Sequence, residues 1–276
     1  MTDRKAIFIT GAASGIGRAV ARLFSARGWF VGLADINEAG LAETAGLLAR
    51  NADGDSGTIH VLDVRDRAAW DVALADFVEA SATPSQPGRL DVMFNNAGIP
   101  IGGKIIDLTS AEIEKVLDIN LKGVIFGAQA AHKYLKATPG SCLLNTASAA
   151  GIYGTPGASV YSATKFGVRA ITESLDGEWD EDGIRVADLM PGFIDTPLLD
   201  LAPNRASNED IRGRVTEAGL EITPVIAVAE AAWAAVHGEK LHTTVGKTAD
   251  RLAFASRWMP GRLRKQTRTS GRALGG

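Results

Sequence analysis

The sequence lacks a second cysteine, a strong net charge and any long hydrophobic run. Because Cys142 is the only cysteine among 276 residues, no intrachain disulfide can form, which excludes a disulfide-stapled secreted domain. The formal net charge of -3 argues against a nucleic-acid-binding protein, since such proteins present a basic face. We therefore expect a cytoplasmic protein with no nucleic-acid partner.

Membrane, export and metal-binding signals are also missing. A helix that crosses a membrane needs about 18 apolar residues in a row, and no such run occurs, so no transmembrane helix is expected. The apolar run Ala6–Thr10 is too short for a signal peptide, and no small-residue cleavage site follows it. The histidines show no metal-ligand spacing, so we expect no metal site. They are His60, His132, His237 and His242.

Short apolar runs alternate with longer segments of helical periodicity. The predicted strands are Ala6–Thr10, Phe30–Ala34, Thr58–Val64, Asp91–Asn95, Ser141–Ala147, Arg185–Met190 and Leu241–Val245. The predicted helices cover residues 15–27, 38–50, 67–81, 110–136, 159–180 and 227–238. Most of the strands are apolar on both faces, as in a sheet that helices cover on both sides. The alternation predicts a doubly wound α/β fold, in which a mostly parallel seven-stranded sheet carries helices on both faces of a single domain.

Two segments depart from this alternation. The polar segment 197–224 contains three prolines and follows the sixth strand, where ligands of open α/β sheets lie. We predict that it forms a substrate lid on a domain of residues 1–250, and a long surface excursion is the alternative. Residues 251–276 form a basic tail with seven basic residues and no acidic one. The domain then carries a charge of -10 and the tail +7.

The basic tail allows three interpretations. Its apolar residues could form one side of a helix that lies on an anionic membrane surface; they are Leu252, Phe254, Trp258, Met259 and Leu263. The preferred interpretation is a packed helix to about Trp258 and then a solvated or disordered end, because Pro260 and Gly261 follow. The third is that the tail docks on the acidic domain or on a partner subunit.

A glycine-rich turn follows the first predicted strand. The segment Thr10–Gly17 reads TGAASGIG, with glycines at 11, 15 and 17, and a helix is predicted to begin near Gly15. Glycines let a backbone approach a pyrophosphate closely, and a helix N-terminus offers free N–H groups to the anion. The segment between strand and helix therefore predicts a dinucleotide site.

An acidic residue ends the second predicted strand. Asp35 lies 18 residues beyond Gly17, where a carboxylate can accept hydrogen bonds from the ribose hydroxyls of an adenosine and would repel a 2′-phosphate. Neither Ile36 nor Ser14 supplies the cation that a 2′-phosphate needs. These residues predict NAD in preference to NADP, although a helix-capping or solvated acid is the alternative for Asp35.

A tyrosine and a lysine share one face of the predicted helix 159–180. Tyr161 and Lys165 are four residues apart, so the ammonium lies near the phenol. A phenol has a pKa of about 10, and a nearby cation favours its ionised form, which suits a general acid or base. Ser148 lies 13 residues upstream at the end of the fifth strand, and Asn120 lies within the helix 110–136.

These motifs occur in one order over roughly residues 4–200. They are TGAASGIG, Asp63-Val64, Asn95–Gly98 (NNAG), Asn120, Ser148, Tyr161–Lys165 (YSATK), and Pro191-Gly192 followed by Thr196. In this order and spacing the chain resembles the short-chain dehydrogenase/reductase family, in its short single-domain branch with a Rossmann-type fold. The resemblance weakens after Thr196.

The resemblance implies a role for each residue of a catalytic tetrad. Tyr161 would be the general acid/base, and Lys165 would lower the pKa of Tyr161 and bind the nicotinamide ribose. Ser148 would hold the substrate oxygen, and Asn120 would position a water in a proton relay.

It also implies a set of ligand contacts. Asp63 and Val64 would contact the adenine, Asn95 and Ala97 the neighbouring ribose and loop, and Thr196 the carboxamide. The implied cofactor-binding residues are Gly11, Ser14, Gly15, Ile16, Gly17, Asp35, Asp63, Val64, Asn95, Ala97, Gly98, Tyr161, Lys165, Pro191, Gly192, Ile194 and Thr196. The substrate-binding candidates are Ser148, Tyr161, Ala150, Tyr153 and Phe193, and the neighbouring candidates Ile99, Ile152 and Met190 favour a hydrophobic substrate.

The function implied is an NAD-dependent oxidoreductase that acts on a secondary alcohol or ketone. A non-catalytic NAD-binding regulator or scaffold is the alternative, against which the complete tetrad counts. Epimerisation is a third, but relatives of that kind have a larger C-terminal domain. We expect a homodimer through the helices 110–136 and 159–180, or a homotetramer, although the tail departs from the family's usual tetramer-forming end.

Overall fold

The structure, a computed structural model, describes residues 4–49, 56–203 and 209–274, with side chains as far as Thr269. Its strands are β1 (Ala6–Thr10), β2 (Phe30–Asp35), β3 (Gly57–Val61), β4 (Val92–Asn95), β5 (Cys142–Thr146), β6 (Arg185–Pro191), β7 (Phe193–Ile194), β8 (Ile222–Thr223) and β9 (His242–Val245). Seven of them form one sheet in the order β3-β2-β1-β4-β5-β6-β9, and every neighbouring pair is parallel. This confirms the predicted single-domain α/β fold.

Helices cover both faces of the sheet. They are α1 (Gly15–Ala26), α2 (Glu38–Gly46), α3 (Arg67–Ala80), α4 (Ser110–Leu117), α5 (Gly123–Lys136), α6 (Ser159–Glu178), α7 (Ile211–Glu217), α8 (Val225–His237), α9 (Lys247–Trp258) and α10 (Pro260–Leu274). Residues of α1, α2 and α8 pack in one apolar cluster with Ile7 and Ile9 of β1. Residues of α3, α5 and α6 pack in another cluster with Ala6 and Phe8. Successive residues of a strand face opposite sides, so one strand supplies both cores.

Side-chain caps set several helix starts. Asn37 Oδ1 accepts a hydrogen bond from the Gly40 N–H at α2, and Asp66 accepts two backbone N–H bonds at α3. Thr109 and Glu112 form a reciprocal capping box at α4. These polar residues precede apolar periodic segments, which is why those helices begin close to the predicted positions.

The predicted continuous helix 110–136 is interrupted. A π-helical turn, Asp118–Lys122, lies between α4 and α5. Within it Asn120 is fully buried, and its side-chain amide bonds to both backbone groups of Ile99: Oδ1 accepts from the N–H at 2.8 Å, and Nδ2 donates to the carbonyl at 2.9 Å. The turn therefore fastens the helix pair to the loop after β4, and π turns are frequent at functional sites.

The tail differs in part from the preferred interpretation, which ended the helix near Trp258. Pro260 opens the new helix α10, in which most described side chains are exposed but Leu263 is only 7% exposed. Proline suits the first turn of a helix, where no intrahelical partner is needed for its nitrogen. Among the described residues, no helix is both long and apolar enough to cross a membrane.

Candidate active site

A cleft of about 860 Å³ opens at the carboxyl ends of the parallel strands. Loops after β1, β2, β4, β5 and β6 all line it, as the topology of such sheets requires. The predicted site residues on its wall are Gly11, Ser14, Gly15, Ile16, Asp35, Asp63, Val64, Ala97, Gly98, Ser148, Ala150, Tyr153, Tyr161, Lys165, Pro191, Gly192, Phe193, Ile194 and Thr196. Gly17, Asn95 and Asn120 are not among the lining residues.

The glycines of the first turn bring backbone segments into close contact. Gly11 and Gly15 have φ angles of +67° and +51°, which glycine adopts without steric cost. A Cβ on Gly17 would lie 2.2 Å from the Gly11 carbonyl oxygen, so α1 can begin against this loop only if residue 17 has no side chain. A Cβ on Gly15 would lie 3.2 Å from Thr196 Cβ. The predicted cofactor residue Thr196 is thus placed against the glycine turn, although the two are 181 positions apart in the sequence.

Asp35 ends β2 beside this turn. Its Oδ2 accepts a hydrogen bond from the Ala13 N–H at 3.2 Å, and its Oδ1 accepts one from the Asn37 N–H at 3.0 Å. Ile36 is 69% exposed beside it on the cleft wall. The carboxylate is therefore held at the position from which an adenosine ribose could be bound.

A basic residue at the same end of the cleft was missed from the sequence. Arg65 lines the cleft and forms an ion pair with Asp63 at 2.6 Å. The hydrogen bond from Arg65 lowers the pKa of the Asp63 carboxyl, although burial opposes this. Arg65 is thus paired with Asp63, and no ion pair joins it to Asp35 among the described residues. The proximity of the two residues, Asp-Val-Arg in the sequence, was the available signal.

The Asn95–Gly98 segment divides between the core and the cleft. Asn95 is buried below the cleft, where its Nδ2 donates to Asn145 Oδ1 at 3.0 Å and more weakly to the Val124 carbonyl. Asn96 lines the cleft, although it is not among the predicted cofactor-binding residues, and its Nδ2 donates to the Thr10 carbonyl at 2.9 Å. The predicted cofactor contact of Asn95 is therefore not supported by the position of its side chain, which instead links β4 to β5.

Three of the four tetrad residues meet on the cleft wall. Ser148 follows β5, and α6 presents Tyr161 and Lys165. The Lys165 Nζ lies 5.8 Å from the centre of the Tyr161 ring and donates to the Thr146 carbonyl at 2.8 Å. The Ser148 hydroxyl interacts with the Tyr161 phenol and acts to lower its pKa. Phenol, hydroxyl and ammonium are thus within reach of one bound molecule.

Asn120 approaches the same site from beneath. A Cβ on Gly98 would lie 3.4 Å from Asn120 Oδ1 and 3.7 Å from Lys165 Nζ, so the glycine separates these two polar groups. The Asn120 amide is already bonded to Ile99, as described above. In this structure its contribution is to hold the loop after β4, and the predicted water relay stays a prediction.

Burial shifts the pKa values of both titratable tetrad residues. It raises the pKa of the Tyr161 phenol, while the hydrogen bond from Ser148 acts in the opposite direction. It also lowers the pKa of the Lys165 ammonium to about 8. The direction for Tyr161 is opposite to that expected from a neighbouring cation alone, because desolvation of the phenolate outweighs the hydrogen bond. Lys165 nonetheless remains mostly protonated at neutral pH.

The segment 197–224 is folded against the cleft, except that residues 204–208 lie outside the described residues. It contains a 3₁₀ turn at Pro197–Asp200, helix α7 and strand β8, which pairs with β7. Arg212 of α7 forms ion pairs with Asp195 at 2.8 Å and Asp200 at 2.6 Å. Apolar residues of the segment face the cleft; they are Leu198, Leu199, Pro203, Ile211, Val215, Ala218 and Leu220. This arrangement is compatible with the predicted lid.

The substrate candidates separate into two groups. Ala150, Tyr153 and Phe193 line the cleft beside Ser148 and Tyr161. Ile152 and Met190 are instead buried in an apolar cluster with Ala147 and Val168, behind the wall. The sequence missed the contribution of the C-terminal helices, from which Thr248, Leu252, Leu263, Gln266 and Thr267 reach the cleft. Among the described residues, no group of histidine, cysteine, aspartate and glutamate is arranged to hold a metal ion.

The sequence profile of the family described as short chain dehydrogenase matches residues 5–206. The chain belongs to this family. It is 34% identical over 226 residues to levodione reductase of Leifsonia aquatica, covering 81% of each chain. It is 35% identical over 206 residues to a 3-oxoacyl-[acyl-carrier-protein] reductase of Thermotoga maritima, covering 74% of this chain and 80% of that one.

Solved structures of the family agree with the fold. A crystal structure of levodione reductase superimposes with a TM-score of 0.80 at 30% identity, covering 92% of this chain and 99% of that one. The 3-ketoacyl-(acyl-carrier-protein) reductase of Brucella melitensis in complex with NADH gives a TM-score of 0.75 at 25% identity, over 89% of this chain and 98% of that one. The protein is therefore an oxidoreductase of the short-chain dehydrogenase family with a Rossmann-type sheet.

Proposed function

We propose that the protein transfers a hydride between NAD and a hydrophobic secondary alcohol or ketone, with Tyr161 as the general acid/base. The observation that carries this proposal is that Tyr161, Ser148 and Lys165 lie together on the wall of a cleft that continues to the glycine turn. Relatives named levodione reductase and 3-oxoacyl-[acyl-carrier-protein] reductase support reduction of a carbonyl group.

The residues of the cleft fit a nicotinamide dinucleotide. The turn that opens α1 has glycines where a side chain would press against neighbouring residues of the turn and the cleft wall. The side chain of the cap residue Ser14 makes no hydrogen bond to the first N–H groups of the helix. Such groups suit a pyrophosphate. Asp35 would bind the adenosine ribose and Thr196 the carboxamide, while Lys165 would bind the other ribose. The bound nicotinamide would supply or accept the hydride.

The tetrad residues would manage the proton. In reduction, the Tyr161 phenol donates a proton to the substrate oxygen; in oxidation, its phenolate accepts the proton of the alcohol. Ser148 Oγ accepts a hydrogen bond from the Ala150 N–H at 3.1 Å, which orients the hydroxyl for the substrate oxygen. The Lys165 ammonium would favour the Tyr161 phenolate electrostatically. Asn120 holds the loop after β4 through its two bonds to Ile99.

Replacing Tyr161 tests the proton step. Tyr161→Phe should lower kcat by about 10²–10⁴-fold while the dissociation constant of NADH stays within about twofold, because only the hydroxyl is lost. Turnover is followed by NADH absorbance with a panel of alcohols and ketones, and NADH binding by fluorescence. Tyr134→Phe is the matched control, since Tyr134 packs against the core cluster away from the cleft. Near-normal turnover by Tyr161→Phe would refute the mechanism, and a wild-type protein that binds NADH without turning over any panel member would favour the regulator instead.

The preference for NAD rests on Asp35. Its carboxylate would repel a 2′-phosphate on the adenosine ribose, and Arg65, a cation on the cleft wall, is paired with Asp63. We expect kcat/KM for NADH to exceed that for NADPH by at least about tenfold, since one unfavourable charge contact of about 1.4 kcal/mol has this effect. Equal or higher values for NADPH would contradict the assignment.

The remaining proposals concern the assembly and its location. We propose a homodimer or homotetramer that uses α5 and α6, because Ile125 and Phe166 on these helices are 37% and 41% exposed. Light scattering of the wild type and of an Ile125→Lys/Phe166→Lys variant would test this, with a monomeric wild type as the contrary result. A cytoplasmic location, and the division into a domain of residues 1–250 and a tail of 251–276, remain expectations.

A further inference from the structure

Helix α10 turns one narrow face towards the cleft. Leu263, Gln266 and Thr267 line the cleft, and their i, i+3, i+4 spacing places them on one side of the helix. Leu263 is 7% exposed and is the one buried side chain among residues 258–269. The Thr267 hydroxyl donates to the Leu263 carbonyl at 2.8 Å, so it is engaged within the helix. Leu263 is therefore the apolar group that this helix presents to the cleft.

The preceding helix sets the position of α10. Helix α9 packs against the turn Ala149–Gly151, which directly follows Ser148. Its residue Leu252 packs against the cluster that contains Ile152 and Met190. A Cβ on Gly192 would lie 3.4 Å from Thr248 Cβ at the start of α9. Because α9 is fixed at the Ser148 end of the cleft, α10 closes that end and not the Asp35 end.

The charges of α10 lie away from the cleft. Arg262, Arg264, Lys265 and Arg268 are exposed. At 100° per residue Lys265 and Arg268 project from the side opposite to Leu263, and Arg262 and Arg264 flank it, but none of the four lines the cleft. The wall that the helix adds to the cleft is therefore uncharged, and the segment 197–224 adds a mostly apolar wall that also includes Arg214. The family profile ends at residue 206, whereas α10 begins at Pro260. This wall lies outside the part of the chain that the profile matches.

We propose that Leu263 is a specificity-determining residue, which limits the length of the hydrophobic substrate where α10 closes the cleft. The proposal rests on the function proposed above and specifies its substrate class. The substrate is an uncharged ketone or alcohol whose apolar chain ends against Leu263. A larger side chain at position 263 shortens the pocket, and a smaller one lengthens it.

Substitution of Leu263 in the full-length protein tests the proposal. Kinetic constants are measured with NADH and 2-alkanones of increasing chain length for the wild type, Leu263→Ala and Leu263→Trp. Leu263→Ala should raise kcat/KM for the longest ketones, relative to the shortest, by at least about tenfold, because several methylene groups gain room. Leu263→Trp should change the same ratio in the opposite direction. Lys265→Ala is the matched control, because Lys265 is exposed on the opposite side of the same helix.

The dissociation constant of NADH should remain within about twofold of the wild-type value in all variants, since Leu263 is not among the predicted cofactor residues and the glycine turn and Asp35 lie at the other end of the cleft. A length profile that is the same for Leu263→Ala, Leu263→Trp and Lys265→Ala would overturn the proposal.

A second readout separates this proposal from the proposed function. If the wild type reduces no ketone, the proposed function fails, and binding of the same 2-alkanones is measured by displacement of an apolar fluorescent dye. Leu263→Trp should then weaken binding of the longest ketone by at least about tenfold and leave the shortest unchanged. Uniform binding across the variants would overturn the role of Leu263 even without turnover.

Discussion

The close contact between α1 and the glycine turn can be tested by adding one methyl group. In Gly17→Ala the new Cβ would lie 2.2 Å from the Gly11 carbonyl oxygen and 2.7 Å from its carbon. Both contacts are with backbone, which cannot rotate away as a side chain can. The N-terminus of α1 must therefore move away from the turn by about 1 Å, which is an overpacking strain of roughly 1–3 kcal/mol.

The expected result is a loss of both stability and cofactor affinity. At about 2–4 °C per kcal/mol for a domain of this size, Tm should fall by roughly 2–12 °C. Since the same movement displaces the N–H groups at the helix start, the dissociation constant of NADH should rise by at least about tenfold, equivalent to 1.4 kcal/mol. Differential scanning fluorimetry measures Tm, and fluorescence titration measures NADH binding.

Gly177→Ala is the control for this substitution. Gly177 also lies in a helix, α6, but a Cβ there would meet nothing within 4 Å. Alanine should stabilise this position by roughly 0.5–1 kcal/mol, because glycine loses more backbone freedom on folding. If Gly17→Ala instead kept the wild-type Tm and NADH affinity, the tight turn would not be the structural basis of the cofactor site.

Two further predictions concern the lid and a buried ion pair. Arg212→Ala removes the ion pairs with Asp195 and Asp200, which are exposed and contribute little to stability. KM for the ketone should rise several-fold in steady-state assays, while Tm should change by no more than about 4 °C. An unchanged KM would contradict a lid held by Arg212. The hydrogen bond with Asp188 at 2.9 Å raises the pKa of His242, so protonated His242 stabilises the folded protein. This contribution to the free energy of unfolding is complete below about pH 6.5, the pKa of an unperturbed histidine, and is lost as the pH rises through the raised pKa. Tm of the wild type should therefore fall between pH 6 and 9, and Tm of His242→Gln should fall less. If Tm of the two proteins changed equally with pH, the stabilising role of His242 would be excluded.

The sequence was sufficient for the sheet because each strand is encoded by local composition. β1, β2 and β5 are buried on both faces, and a continuous apolar run is what such a strand requires. The parallel order then follows from the helices between the strands, since right-handed crossovers leave few alternatives. The ends of the strands were harder to predict. The third strand was expected to reach Val64 but ends at Val61, because Asp63 pairs with Arg65 in a turn.

Sequence motifs predicted the site residues that lie at or beside the carboxyl end of a strand. Ser148, Tyr161 and Lys165 each follow or face β5, so their convergence could be expected from the topology. Asn95 shows the limit of this reasoning. Adjacent residues of a strand point to opposite sides, and only the partners Asn145 and Val124 show that Asn95 faces the core while Asn96 reaches the cleft.

Helix α10 could not be placed from sequence for a different reason. Pro260 and Gly261 are compatible with a chain break as well as with a helix start, because proline is favoured at the first helical turn. One buried leucine among four exposed cations gives no apolar periodicity strong enough to predict a packed helix. The decisive contact is tertiary: α9 is held at the turn after Ser148, and this brings Leu263 to the cleft. A residue more than 100 positions from Tyr161 in the sequence can thereby set the length of the pocket in which Tyr161 acts.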